Sequence, residues 1–169
     1  MPSVPRIFVD TNVLVSGICF VGLPYEILRL AIAGEIRLVL SHMVLDETRR
    51  VIHEEFPQHA ASLERLLLVL PYDLQSDPTV NEVESNLDLV RDRKDIPIAL
   101  SAIASRADVL VSGDKHLAAQ DATTALLRSR IAVLTPAEFF GQVMDWGEGR
   151  IHAVGRRRWE DIGGTDALA

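Results

Sequence analysis

Asp10 follows the apolar run Arg6-Ile7-Phe8-Val9, and Asp114 follows Val109-Leu110-Val111-Ser112-Gly113, so each carboxylate stands at the end of a strand-like segment. In an open parallel sheet, ligands bind in the crevice beyond the carboxyl ends of the strands. Two acids brought to such an edge by distant segments are therefore candidates for ligand chemistry. Glu47 and Asp95 extend the set. On a helix over residues 43–56 the apolar positions are Val44, Leu45, Val51 and Ile52, spaced at about 100° per residue; Glu47 falls at the border of that face while Asp46 points away. Asp95 stands before Ile96-Pro97, where a helix begins. Three or four carboxylates held together repel, and they stay ionised only beside a divalent cation. Mg²⁺ takes such oxygen ligands, keeps several waters and accepts phosphate oxygens.

Each acid also has a local explanation. Asp10 with Asn12 can form an Asx turn. Asp114 and Asp95 can cap the helices that follow them. Glu47 can pair with Arg50 at i+3, worth a few tenths of a kcal/mol, and Asp92 sits in the charged run Arg91-Asp92-Arg93-Lys94. Spacing permits a cluster without requiring one.

The elements that would position these residues alternate between strand and helix. Strands are expected at 6–10, 36–41, 108–114 and 130–134, with Asp10-Thr11-Asn12 as a loop. Helices are expected at 25–33 (closed by Gly34), 43–56 (stopped by Pro57), 59–70 (stopped by Pro71), 96–106 and, weakly, 117–128. Residues 73–88 are polar and read as loop or short strand. Thr135-Pro136-Ala137-Glu138 opens a last helix, with Thr135 as N-cap, Pro136 at N1 and Glu138 at N3. The strands are continuous apolar runs, as buried parallel strands are. The alternation predicts an α/β fold, a Rossmann-like three-layer sandwich around a mainly parallel central sheet. Residues 1–145 form the domain; residues 146–169, with Gly147, Gly149, Gly155, Gly163 and Gly164, read as an extension outside the core, partly disordered.

Composition bounds the function. At 169 residues, 48% of them hydrophobic, one domain is expected. The lone Cys19 excludes a disulfide framework and a multi-cysteine zinc module, and the five histidines lack the spacing of a transition-metal site. No apolar run reaches the ~20 residues of a membrane span, and Met1–Arg6 lacks the features of a signal peptide; a cytoplasmic protein with no membrane role is the expectation. The formal charge of −7 resides in residues 1–145, because the tail balances Arg150 and Arg156–Arg158 against Glu148, Glu160, Asp161 and Asp166. Such a body repels a polyanion unless cations cluster locally or a metal inverts the local sign.

Phe8-Val9-Asp10-Thr11-Asn12-Val13-Leu14-Val15-Ser16 resembles the opening of the PIN domain, and Val111-Ser112-Gly113-Asp114-Lys115-His116-Leu117 resembles its last acidic segment. Ser41–Glu47 and Asp92–Asp95 are similar to the second and third. The similarity runs from about Arg6 to Phe140 and is nearest to bacterial toxin components of toxin–antitoxin pairs. It implies a metal-dependent ribonuclease using Mg²⁺ (or Mn²⁺), with Asp10, Glu47, Asp95 and Asp114 as metal-site acids, Asn12 and Ser112 orienting them or the attacking water, and Asp92 as an accessory acid. Arg93-Lys94 departs from the Pro and acid that close relatives often carry there. RNA would be the substrate and a cognate antitoxin the partner. Aliphatic surface on the helices over 43–56 and 59–70 suggests a homodimer. The competing reading is a catalytically silent scaffold of the same fold that binds protein or RNA. A phosphatase of the aspartyl type fails, since Asp10 is followed two residues on by Asn12 rather than a second acid.

Overall fold

Five short strands make the frame. They are β1 (Arg6–Val9), β2 (Arg37–Ser41), β3 (Tyr72–Gln75), β4 (Val109–Val111) and β5 (Ala132–Leu134), and in the computed structural model they form one wholly parallel sheet ordered β3-β2-β1-β4-β5. The structure describes residues 3–161. Phe8 sits opposite Val39 on β2 and opposite Leu110 on β4, and Ile7, Phe8 and Val9 are fully buried. A strand with neighbours on both edges and helices on both faces has no solvent-facing side, so its side chains need not alternate.

The helices are α1 (Thr11–Cys19), α2 (Leu23–Ile32), α3 (His42–Glu55), α4 (Ala60–Val69), α5 (Val80–Glu84), α6 (Ile96–Ala104), α7 (Ala125–Arg128), α8 (Pro136–Gln142) and α9 (Glu148–Gly155). α1 packs on α2 and α3, whereas α6 lies against β2 and β4, giving the three layers. Gly17 lets α1 and α2 meet closely: a Cβ there would stand 2.8 Å from Leu28 Cδ1 and 2.9 Å from the Pro24 carbonyl. Gly34 closes α2 in the left-handed region, at φ +74, with its N–H donating to Ala31, the conformation glycine adopts at least cost. At the far end, Thr135 and Glu138 form the expected reciprocal capping box of α8.

Three expectations need correction. Asp10-Thr11-Asn12 is not a loop: Asp10 caps α1, which begins at Thr11. The stretch 117–128 is not one helix but a turn, a short 3-10 segment at Ala122–Thr124 and α7, since Asp121 accepts from Thr123 N–H and starts a fresh turn there. The extension from residue 146 is not outside the body up to Asp161. Trp146 stacks on Phe140 with centroids 4.2 Å apart, Arg150 lies 3.5 Å above the Trp146 ring, and Val154 is buried. Arg157 reaches back to the buried Glu26 at 2.9 Å. Glycine's cost in a helix, about 1 kcal/mol each, is outweighed here by packing. Residues 162–169 of that expected tail lie outside the described residues. The polar stretch 73–88 holds the edge strand β3 and the short α5, capped reciprocally by Thr79 and Glu82. Among the described residues no single helix is long and apolar enough to cross a membrane.

Candidate active site

The chain leaves β1 towards β2 on one side and later returns to place β4 on the other, so the strand order reverses between β1 and β4. The crevice beyond the carboxyl ends of such a pair is where open α/β sheets bind ligands. Asp10 follows β1 and Ser112–Asp114 follow β4, so this crevice receives both segments at once.

A cleft of about 80 Å³ there is lined by Asp10, Thr11, Asn12, Glu47, Asp95 and Asp114, with Ile98 and Leu117 as its apolar wall. All four acids singled out in the sequence reach it. Asp10 is only 4% exposed. One of its oxygens accepts the Val13 N–H at 2.9 Å and the other accepts the Ser112 hydroxyl. The Ser112 oxygen in turn accepts the Asp114 N–H at 3.0 Å, so one buried hydroxyl ties the ends of β1 and β4 together. Asp114 accepts the His116 N–H at 2.7 Å, which fixes its carboxylate in a turn rather than at a helix start. Glu47 is held by the Thr11 hydroxyl at 2.7 Å and lies 3.8 Å from Arg50. Asn12 is exposed on the cleft wall beside Gly113.

Helix capping fails as the explanation of Asp114 and of Asp95, and local pairing survives for Asp10 and Glu47. Asp10 does cap α1, its second oxygen accepts the Ser112 hydroxyl, and the residue lines the cleft all the same. Asp95 precedes α6 but makes no side-chain capping bond; its carboxyl is left for the cleft. Asp92 instead spends its carboxylate on the Lys94 N–H at 3.0 Å and does not line the cleft. Thr11 was not singled out in the sequence. The available signal was a hydroxyl one residue after a strand-ending Asp, which spacing alone could not connect to Glu47, 36 positions away.

The electrostatics follow from convergence. Burial pushes the Asp95 carboxyl up to about 6, and the charges of Asp114, Asp92, Asp10 and Glu47 push in the same direction. Burial also raises Asp10, against the lowering effect of the Ser112 and Val13 donors, with Asp114 raising it further. Acids from four segments therefore feel one another through this crevice.

The PIN domain profile matches residues 6–116, which include all four acids. This chain belongs to the PIN domain family. Its PIN fold is similar to PAE2754 from Pyrobaculum aerophilum at 18% identity and a TM-score of 0.58, covering 86% of this chain and 100% of that one. It is also similar to VapBC2 from Rickettsia felis, solved bound to a DNA fragment from their promoter, at 18% identity and a TM-score of 0.52, covering 77% of this chain and 98% of that one. Likeness at such identity speaks to the PIN fold alone. No curated protein matches the chain.

Proposed function

We propose that this PIN domain protein is a divalent-metal-dependent ribonuclease, hydrolysing RNA phosphodiester bonds as the toxin half of a toxin–antitoxin pair. The observation that carries the reading is the convergence of Asp10, Glu47, Asp95 and Asp114 on one cleft, with Asp95 pushed up to about 6. Burial is the first cause of that rise and the neighbouring acids the second; a cation would relieve the part that is repulsion.

The donor set suits a hard cation: every candidate ligand is a carboxylate oxygen. Mg²⁺ or Mn²⁺ retains waters and takes few protein ligands; among the described residues no three acidic, His or Cys side chains stand grouped as a ready cation site. Bound there, the ion would supply water activation and charge neutralisation at the phosphate. The chain's own residues do the positioning. The Ser112 hydroxyl and the Val13 N–H aim the two Asp10 oxygens, Thr11 aims Glu47, and the turn at His116 aims Asp114. Asn12, exposed on the wall, is placed to orient water or substrate. Asp95, its carboxyl raised to about 6, is ionised at neutral pH and open to a cation, and below that pH proton and cation would compete for it.

The antitoxin and a homodimer belong to the same reading. Leu68 and Val69 at the end of α4 are 86% and 61% exposed, aliphatic surface that a second copy would cover; light scattering at micromolar concentration reads the mass directly. Activity is tested with purified protein, Mg²⁺ or Mn²⁺ and labelled single-stranded RNA. Cleavage should stop on chelation and in Asp10→Asn and Asp114→Asn, with circular dichroism unchanged. Cleavage undiminished in Asp10→Asn would place the activity elsewhere. A folded protein whose calorimetric cation binding is absent, or indifferent to Asp10 and Asp114, would instead be a silent scaffold.

A further inference from the structure

An open groove of about 590 Å³ runs on from the acidic cleft, the two sharing Glu47. Met43 and Pro97 give it apolar contact surface, and two cations, Arg50 and Lys94, line it. Several basic side chains of this acidic body are committed, Arg6 to Asp73, Arg49 to Glu64, Arg93 to Glu84 and Arg157 to Glu26. The exposed Lys115, which has no carboxylate partner among the described residues, does not line this groove. Lys94 differs. It is exposed, and among the described residues no carboxylate lies within ion-pairing distance of its ammonium. Its backbone is nevertheless anchored, because Asp92 accepts its N–H at 3.0 Å in the short 3-10 turn Arg93–Asp95. The residue that follows is Asp95 itself, so the free cation is tethered one residue from the cleft.

Arg50 on α3 also lines the groove, but its guanidinium is committed to Glu54 at 3.0 Å and lies 3.8 Å from Glu47. The acids of the groove are partly spent on their own partners. Asp77 accepts the Met43 N–H at 3.0 Å, and Asp46 lies 4.0 Å from Arg49.

We infer that Lys94 holds a backbone phosphate of the RNA strand adjoining the scissile bond, so that the groove between α3 and the start of α6 is the track by which single-stranded RNA enters the cleft. The inference rests on the nuclease reading and assigns its substrate path. Contacts of this kind set register and affinity without reading sequence. They also answer how a chain of charge −7 accepts a polyanion: the acids meet the metal, and a free lysine beside them meets the neighbouring phosphate.

The test measures binding and turnover separately. Fluorescence anisotropy of a labelled single-stranded RNA on the Asp10→Asn protein, across a salt series, gives affinity without cleavage. Lys94→Gln in that background should weaken binding about five- to tenfold and lower the salt slope by about 0.7. Lys94→Arg should restore most of it. In otherwise unaltered protein, Lys94→Gln should raise KM by a similar factor and change kcat less than about twofold. Arg93→Gln and Arg49→Gln, whose charges are paired, should leave both within about twofold. Unchanged KM and salt slope in Lys94→Gln, or an equal loss in Arg93→Gln, would overturn the track. If the unaltered protein cuts no RNA, the nuclease reading fails instead, and the anisotropy series reports that separately. Tighter binding of duplex than of single strands would overturn the assignment of substrate class.

Discussion

Replacing Asp95 with Asn should stabilise the protein in the presence of a chelator at pH 8. The carboxyl of Asp95 is pushed from 3.8 to about 6, by burial first and then by Asp114, Asp92, Asp10 and Glu47. Between those two values the folded protein keeps a proton that the unfolded chain has released. Stability therefore falls as pH rises through that window, and the penalty is complete above pH 6. At 1.36 kcal/mol per pH unit the gap corresponds to about 3 kcal/mol. Asp95 is partly open to water, and solvent screening reduces the effect to roughly 1–2 kcal/mol. Urea denaturation in EDTA is the assay. Asp95→Asn should exceed the unaltered protein by that amount at pH 8, with the difference shrinking as pH approaches 4. Saturating Mg²⁺ should then narrow or reverse the difference, because the cation favours the ionised cluster. An advantage independent of pH, or a loss of stability at pH 8, would refute the claim that these carboxyls share one repulsive field.

Ser112→Ala leaves a buried Asp10 oxygen and the Asp114 N–H without the hydroxyl that joins them; unfolding free energy should drop by about 2–3 kcal/mol in urea titration, with loss of RNA cleavage. Gly17→Ala forces a methyl to 2.8 Å from Leu28 and 2.9 Å from the Pro24 carbonyl, an overpacking cost of about 1–3 kcal/mol that calorimetry would register as a lower Tm. Arg157→Ala leaves the buried Glu26 with only Arg29 at 3.3 Å. A loss of about 1 kcal/mol is expected, and limited trypsin digestion should cut earlier around Arg150.

Much of the frame was legible in the residues because it is written in local signals. Val109-Leu110-Val111 reads as a buried strand wherever it is placed. Gly34 can end α2, and the Thr135/Glu138 pair can start α8, through contacts within a few residues. The four acids stood out for the same reason: two end strands, one precedes a helix and Glu47 borders the apolar face of another. The PIN resemblance then ordered them in one set.

What the residues could not determine was which of two local roles each polar side chain takes, because both roles begin with the same first contact. Asp10-Thr11-Asn12 reads as an Asx turn in a loop; with α1 packed on α2 and α3, Asp10 is instead a helix cap. Asp95 reads as a cap, yet it caps nothing. Asp92 is its neighbour in the chain, but Asp10, Asp114 and Glu47 join the field around it because the fold sets β4 beside β1 and α3 against α1. Thr11 meets Glu47, and Trp146 meets Phe140, through distances that no period in the sequence encodes. The sequence alone thus determined which side chains were available and which short segments would carry them. Their meeting was decided by tertiary structure, since the energy that brings distant acids together comes from the apolar strands and helices packed behind them.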